Sequence, residues 1–155
     1  MAWGMKNVVI SLFGASIMEG RIGVQRASDR WYNLLQAMLS EHFPAMCFPM
    51  INGGVGGEST RECMRRFDRD VLAHQPDFCL FMVGSNNHDC ERPERILTEG
   101  ELEQLMDEFS TRLPKSTIPI GVVLSPCVNE WHFATTAPAY RNYLQQHGGL
   151  HEALE

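Results

Sequence analysis

Apolar positions along the chain fall into two alternating rhythms. Residues 7–13, NVVISLF, are a short β-rich apolar run that stops at Gly14 and reads as a buried strand. Between Arg30 and Phe43, Trp31, Leu34, Leu35, Met38 and Leu39 keep i, i+3, i+4, i+7, i+8 spacing, which predicts one helical face turned to a core. Residues 46–51, MCFPMI, supply a second strand. Its Pro49 has no N–H for a ladder, so this strand is placed at a sheet edge. Ser59-Thr60-Arg61-Glu62 fits a capping box, and Met64, Phe67 and Val71 continue as a helix stripe. Residues 78–83, FCLFMV, form the most apolar strand. Leu102, Leu105, Met106, Phe109 and Leu113 mark a third helix closed by Pro114, and the acidic run from Glu99 to Glu103 suits its N-terminus. Residues 120–124, IGVVL, give a fourth strand, and a last helix is expected over 137–146 with Tyr140, Tyr143 and Leu144 inward.

Strand and helix therefore alternate throughout. That order favours a parallel sheet with helices on both faces, joined by right-handed crossovers. No repeat, low-complexity tract or linker interrupts it, so residues 1–155 are read as one α/β domain. Met38, Met64 and Met106 are read as core filler.

Composition narrows the function classes. With 44% hydrophobic and 21% charged residues the chain is globular rather than disordered, and a net charge of −6 argues against non-specific binding to nucleic acid or anionic membranes. The apolar runs are too short for a membrane span, and no leader is read in MAWGMKNVVISLF. Cys47, Cys63, Cys79, Cys90 and Cys127 are scattered and form no CxxC pair, which points to reduced thiols and a cytoplasmic setting without zinc.

The glycine-rich stretch INGGVGGEST, residues 51–60, resembles a phosphate loop at first sight. A Walker-type loop needs lysine before its Ser/Thr, and here that position is Glu58. A dinucleotide fingerprint also fails, because it should open the first strand–helix unit rather than the second. What remains is a strand end whose backbone N–H groups lie exposed at a helix start, suited to negative charge, including the transient charge of an acyl-transfer oxyanion. The first strand places Ser16 just past the sheet, and the third places Asn86 and Asn87 just past its end. Ligands of open parallel sheets sit outside the carboxyl ends of the strands. Three strands thus deliver a hydroxyl, a backbone N–H cradle and a carboxamide to one rim.

Gly14-Ala15-Ser16-Ile17, Asn52-Gly53-Gly54-Val55-Gly56-Gly57 and Gly84-Ser85-Asn86-Asn87 resemble the first three sequence blocks of the SGNH (GDSL-like) hydrolases. The resemblance implies a flavodoxin-like α/β/α sandwich and a serine esterase acting on an ester or thioester without metal or organic cofactor. By the same resemblance Ser16 is the nucleophile, and Ser16 N–H, Gly54 N–H and the Asn86 amide form the oxyanion hole. The substrate implied is a small-molecule ester: an acylated sugar, a lipid or another small ester.

Three departures from the family pattern stand out. Ala15 replaces the Asp that usually precedes the serine and supports its loop, and Asn87 replaces the more usual Asp after the third-block Asn. More seriously, the late Asp-x-x-His block that holds the family's base has no counterpart; Gly148-Gly149-Leu150-His151 is its nearest echo. The chain is accordingly expected to be the N-terminal portion of a longer hydrolase, short of a fifth strand and closing helix. The open edge left behind invites a second copy of the chain. A degenerate relative that binds an anion or sugar without turnover, and a flavodoxin-like nucleotide binder, stay open as alternatives. His88 reads as a substrate contact or a solvated loop residue, and Glu130-Trp131-His132-Phe133 as a substrate-binding lip or a packed loop.

Overall fold

A computed structural model describes residues 5–84, 86–87 and 92–122. The expected helix over 137–146, the last residues of the expected fourth strand, and Cys90, Cys127, His88, His132 and His151 lie outside the described residues.

The elements in chain order are β1 (Lys6–Asn7), β2 (Ile10–Gly14), α1 (Ser16–Glu19), α2 (Trp31–His42), β3 (Met46–Cys47), β4 (Met50–Gly54), α3 (Thr60–Arg65), α4 (Phe67–Asp70), β5 (Phe78–Met82), α5 (Glu99–Arg112) and β6 (Ile118–Gly121). Among the described residues, β4, β2, β5 and β6 form one sheet in that order, every neighbouring pair parallel. The short β1–β3 pair leads into it. β4 lies at an edge of the described sheet, as Pro49 predicts. The proline also splits the expected 46–51 strand in two, leaving only its carbonyl in the ladder, where it accepts from Ile10 N–H at 2.9 Å.

Parallel strands covered on both faces are apolar nearly throughout. Ile10 and Leu12 of β2, with Leu80 and Met82 of β5, pack with Met18, Tyr32 and Phe48 on one face. Phe13 and Cys79 pack on the other with Met64, Phe67, Val71, Phe109 and Leu113. The protein is thus a three-layer α/β/α sandwich.

The second core is aromatic. Phe13 lies edge-on to Phe67 at 5.3 Å and stacks on Phe109 at 5.9 Å, and Phe81 approaches Phe109 at 4.7 Å. Phe109, from α5, therefore joins the helices to β2 and β5. Phe109→Ala is expected to destabilise the fold by about 3–5 kcal/mol, read as a fall in the urea midpoint, because it empties the centre of this cluster.

Two expectations about packing need correction. Leu34 and Met38 are exposed by 51% and 66%, so Met38 does not fill the core. The inward arc of α2 carries Tyr32, Leu35 and Leu39 instead, with Trp31 beside them. Tyr32 is tolerated there because its hydroxyl accepts from Arg30 Nη1 at 3.0 Å. β6 also begins two residues before the expected strand and includes Pro119. Its flanking donors to the β5 side come from Ile118, to Asp77 O, and Val122, to Phe81 O, each at 2.8 Å. The proline thus takes a position from which the ladder asks no donor.

No helix among the described residues is long and apolar enough to cross a membrane. Met64 and Met106 do pack in or against the aromatic core, and Cys47, Cys63 and Cys79 are free thiols.

Candidate functional site at the carboxyl rim of the sheet

Register brings the three sequence blocks together. Gly14 is paired with Gly54 on one side and Met82 on the other, so β2, β4 and β5 end level. Ser16, the Gly54–Gly57 loop and Asn86 follow directly from those ends and share one rim.

Ser16 is half-buried and opens the single turn of α1, with Ala15 buried at the N-cap. The turn closes through Glu19 N–H to Ala15 O and Gly20 N–H to Ser16 O, both 3.0 Å. Gly20 ends it in the left-handed conformation, φ 67°. A helix this short leaves its carbonyls unpartnered. The Trp31 indole takes up Ile17 O at 2.7 Å, and Asn52 Nδ2 donates to Glu19 O at 3.3 Å. The loop is therefore built without the aspartate that the family resemblance sets at position 15.

Two glycines allow α1 to sit this close to the sheet. A Cβ on Gly14, at φ 148°, would lie 2.0 Å from Met82 O. A Cβ on Gly54 would lie 2.1 Å from Glu19 N and 2.5 Å from Met18 C, so β4 ends directly against the α1 backbone. Farther along the loop, a Cβ on Gly56 would lie 3.9 Å from Ser16 Cβ. The same Cβ would lie 2.8 Å from Glu19 Oε2, so the Gly56 position is flanked by the Glu19 carboxylate as well as by Ser16.

The backbone donors are not equivalent. Gly54 N–H donates to Asn52 Oδ1 at 2.7 Å, so serving an oxyanion requires Asn52 to release it. Val55 N–H donates to Gly14 O at 3.1 Å. Gly56 and Gly57 N–H have no acceptor among the described residues, nor does Ser16 Oγ have a partner there. Asn86 Nδ2 donates to Glu58 O at 2.9 Å, which fastens the third block to the second. Asn87 is buried and engaged at both ends of its amide: Oδ1 accepts from Thr60 N–H at 2.9 Å and Nδ2 donates to Thr60 Oγ1 at 3.0 Å.

Beneath the loop lies a layer of charge. Ser59 and Glu62 form the predicted capping box of α3. Arg95 bridges Glu62 Oε1 at 2.9 Å and Gly57 O at 2.5 Å. Burial alone would raise the Glu62 carboxyl; hydrogen bonds from Ser59 and Arg95 outweigh it and hold the group below the usual carboxylate range. For Asp70 burial also acts upward, and Arg69 and Arg66 reverse it. Burial, with Glu58 close by, pushes the Cys63 thiol up to about 12.

Both carboxylates thus have folded pKa values below their unfolded ones. Their stabilisation is present above the ordinary carboxylate pKa of about 4 and fades as pH falls through the lower folded values. The urea midpoint is expected to drop as pH falls below about 4, and less steeply in Asp70→Asn.

No described histidine reaches this rim. His42 ends α2 and His74 ends the turn before β5, which places both at the opposite, amino end of the sheet. Sequence reasoning missed Trp31, Asn52, Arg66 and Arg95 as supports of the site. The Asn-x-Gly spacing of a side-chain turn would have singled out Asn52.

Comparison with known proteins bears on the family and the fold. An acetylxylan esterase from Geobacillus stearothermophilus is 30% identical over 80 residues, 52% of this chain and 34% of the relative. An uncharacterized lipoprotein of Bacillus subtilis, YqeF, is 28% identical over 86 residues, 56% and 31% of the two chains. The matched stretches thus span about a third of each curated relative's length. Among solved structures, LAE5, an α/β hydrolase from the metagenome of Lake Arreo, superposes with TM-score 0.62 at 22% identity, covering 97% of this chain and 78% of that one. A structure of an acetyl xylan esterase from Geobacillus stearothermophilus gives TM-score 0.60 at 22% identity, with 89% and 67% covered. The model of the GDSL-like lipase/acylhydrolase family matches residues 12–151, and the chain belongs to that family.

Proposed function

We propose that this protein is a serine ester hydrolase with Ser16 as nucleophile. The observation that carries the reading is the level ending of β4, β2 and β5, which sets a hydroxyl, unengaged glycine N–H groups and a carboxamide along one rim. In the reaction, Ser16 Oγ attacks the ester carbonyl and its proton passes to a base. The tetrahedral oxyanion is held by Ser16 N–H, the Asn86 amide and the glycine loop. Gly54 N–H contributes if Asn52 releases it; Gly56 and Gly57 are donors already available. Collapse expels the alcohol and leaves an acyl-serine, which water then hydrolyses. The base is a histidine outside the described residues, since His42 and His74 are at the far end of the sheet.

The acetylxylan esterase relative favours a short acyl group on a carbohydrate as substrate. Free thiols at Cys47, Cys63 and Cys79 support a reducing, cytoplasmic setting. A fluorophosphonate probe followed by peptide mass analysis tests the nucleophile, and acetate release from acetylated xylan tests the substrate class. A phosphonyl adduct on Ser16 is the expected result. An adduct elsewhere, or none at all with no acetate released, removes the proposal.

A further inference from the structure

Inside the loop from Gly53 to Glu58 the anchors are few: Gly54 N–H to Asn52 Oδ1, Val55 N–H to Gly14 O, and Gly57 O accepting from Arg95. Between its ends lie Gly54, Val55, Gly56 and Gly57, and Val55 is exposed. Glycine-rich backbone surrenders the most conformational freedom on being fixed, so such a loop keeps one shape only where outside groups impose it.

Arg66, at the junction of α3 and α4, touches both ends of this loop with one guanidinium. Nη1 donates to Gly53 O at 3.0 Å, where the loop begins. Nε reaches the two carboxylate oxygens of Glu58, where the loop ends, at 3.1 and 2.9 Å, and Nη2 also donates to Glu58. Asp70 takes a further bond from Nη1. The three side chains are only 14%, 18% and 11% exposed. Arg69 pairs with the other side of Asp70, so two cations balance two anions.

Glu58 is the junction of the site. Its carboxylate is gripped by Arg66 while its backbone carbonyl accepts Asn86 Nδ2. A shift of Glu58 therefore moves the end of the glycine loop and the carboxamide together. We propose that Arg66 is a positioning residue of the ester-hydrolysing site, a clamp that sets the Gly54–Gly57 backbone and, through Glu58, the Asn86 amide. The inference rests on the esterase reading of Ser16. It goes beyond that reading by naming a side chain that touches no substrate yet sets the oxyanion donors. Lysine would keep the charge but has no planar fork with which to hold Gly53 O and Glu58 at once.

The test uses Arg66→Lys and, should that variant not fold, Glu58→Gln, which leaves the Arg66–Asp70 pair in place. Hydrolysis of p-nitrophenyl acetate is measured per folded molecule, together with ¹⁵N NMR spectra of the Gly54–Gly57 amides and the Asn86 side-chain amide. The expected result is a kcat lowered about 10- to 100-fold with KM within about threefold, because misplaced donors weaken the transition state more than the ground state. The named amide signals should also shift. A kcat within about threefold of wild type in a folded variant overturns the proposal. If the wild-type protein shows no Ser16-dependent hydrolysis, the esterase reading fails by itself. The clamp is then decided by the spectra: shifted amides sustain it, and coincident ones reject it.

Discussion

Replacing Ser16 by alanine is expected to lower kcat for ester hydrolysis by at least about 10⁴-fold while leaving the protein folded. On the proposed mechanism no acyl-enzyme forms without Oγ, and what would survive is the small acceleration that bound donors give to direct attack by water. The fold should not notice. Ser16 Oγ has no partner among the described residues, and the backbone bonds that close α1 run from Glu19 N–H to Ala15 O and from Gly20 N–H to Ser16 O. Alanine is also at least as good a helix former as serine. The urea midpoint of Ser16→Ala should therefore coincide with that of wild type. An alanine variant that keeps more than about a hundredth of the wild-type kcat would move the nucleophile to another residue.

Gly54→Ala should behave in the opposite way, harming fold and activity together. The new methyl would lie 2.1 Å from Glu19 N, 2.5 Å from Met18 C and 2.7 Å from Glu19 Cα. All three are backbone atoms, so no rotamer change relieves the contact. Either α1 lifts off the sheet or the end of β4 bends away, at about 3 kcal/mol for overpacking at a rigid site. Because Ser16 rides on α1, the same movement spoils its aim, and kcat should fall by about 10²-fold or more in the molecules that stay folded. Gly57→Ala is the natural comparison. Its Cβ would meet nothing within 4 Å, so only the left-handed φ of 79° stands against it, worth about 1–2 kcal/mol. Urea midpoints of the two variants rank the effects. If Gly54→Ala is no less stable than Gly57→Ala, the close approach of α1 is not what demands a glycine there.

The parts of this site that could be read in the sequence are those set by local chemistry. Ser59 and Glu62 announce the start of α3 because a capping box uses only neighbouring residues. Pro49 announces the edge because a missing N–H is a property of the residue itself. The three blocks could be placed at one rim because parallel strands joined by crossovers end on the same side. Spacing says which residues of α2 share an arc, but not which arc the sheet will select. Trp31, Leu34, Leu35, Met38 and Leu39 fit a helical stripe equally well whether or not Tyr32 is buried, and the buried arc proved to be rotated toward Tyr32. Arg66 was invisible for a related reason. It meets Glu58 across the first turns of α3, Gly53 across the whole loop, and Asp70 on the next helix; only the i, i+4 spacing to Asp70 shows in the sequence, and no motif encodes the other two contacts. Its role exists only once the chain has turned back on itself.

Four residues are too few for a helix to persist in water, since even long alanine-rich segments of a dozen residues are marginal there. The stretch around Ser16 is therefore not portable: cut out as a peptide, or grafted onto a scaffold lacking the Trp31 indole, the Asn52 amide and the bare end of β4, it would return to coil. Thermal inactivation and loss of tertiary structure should accordingly trace a single curve.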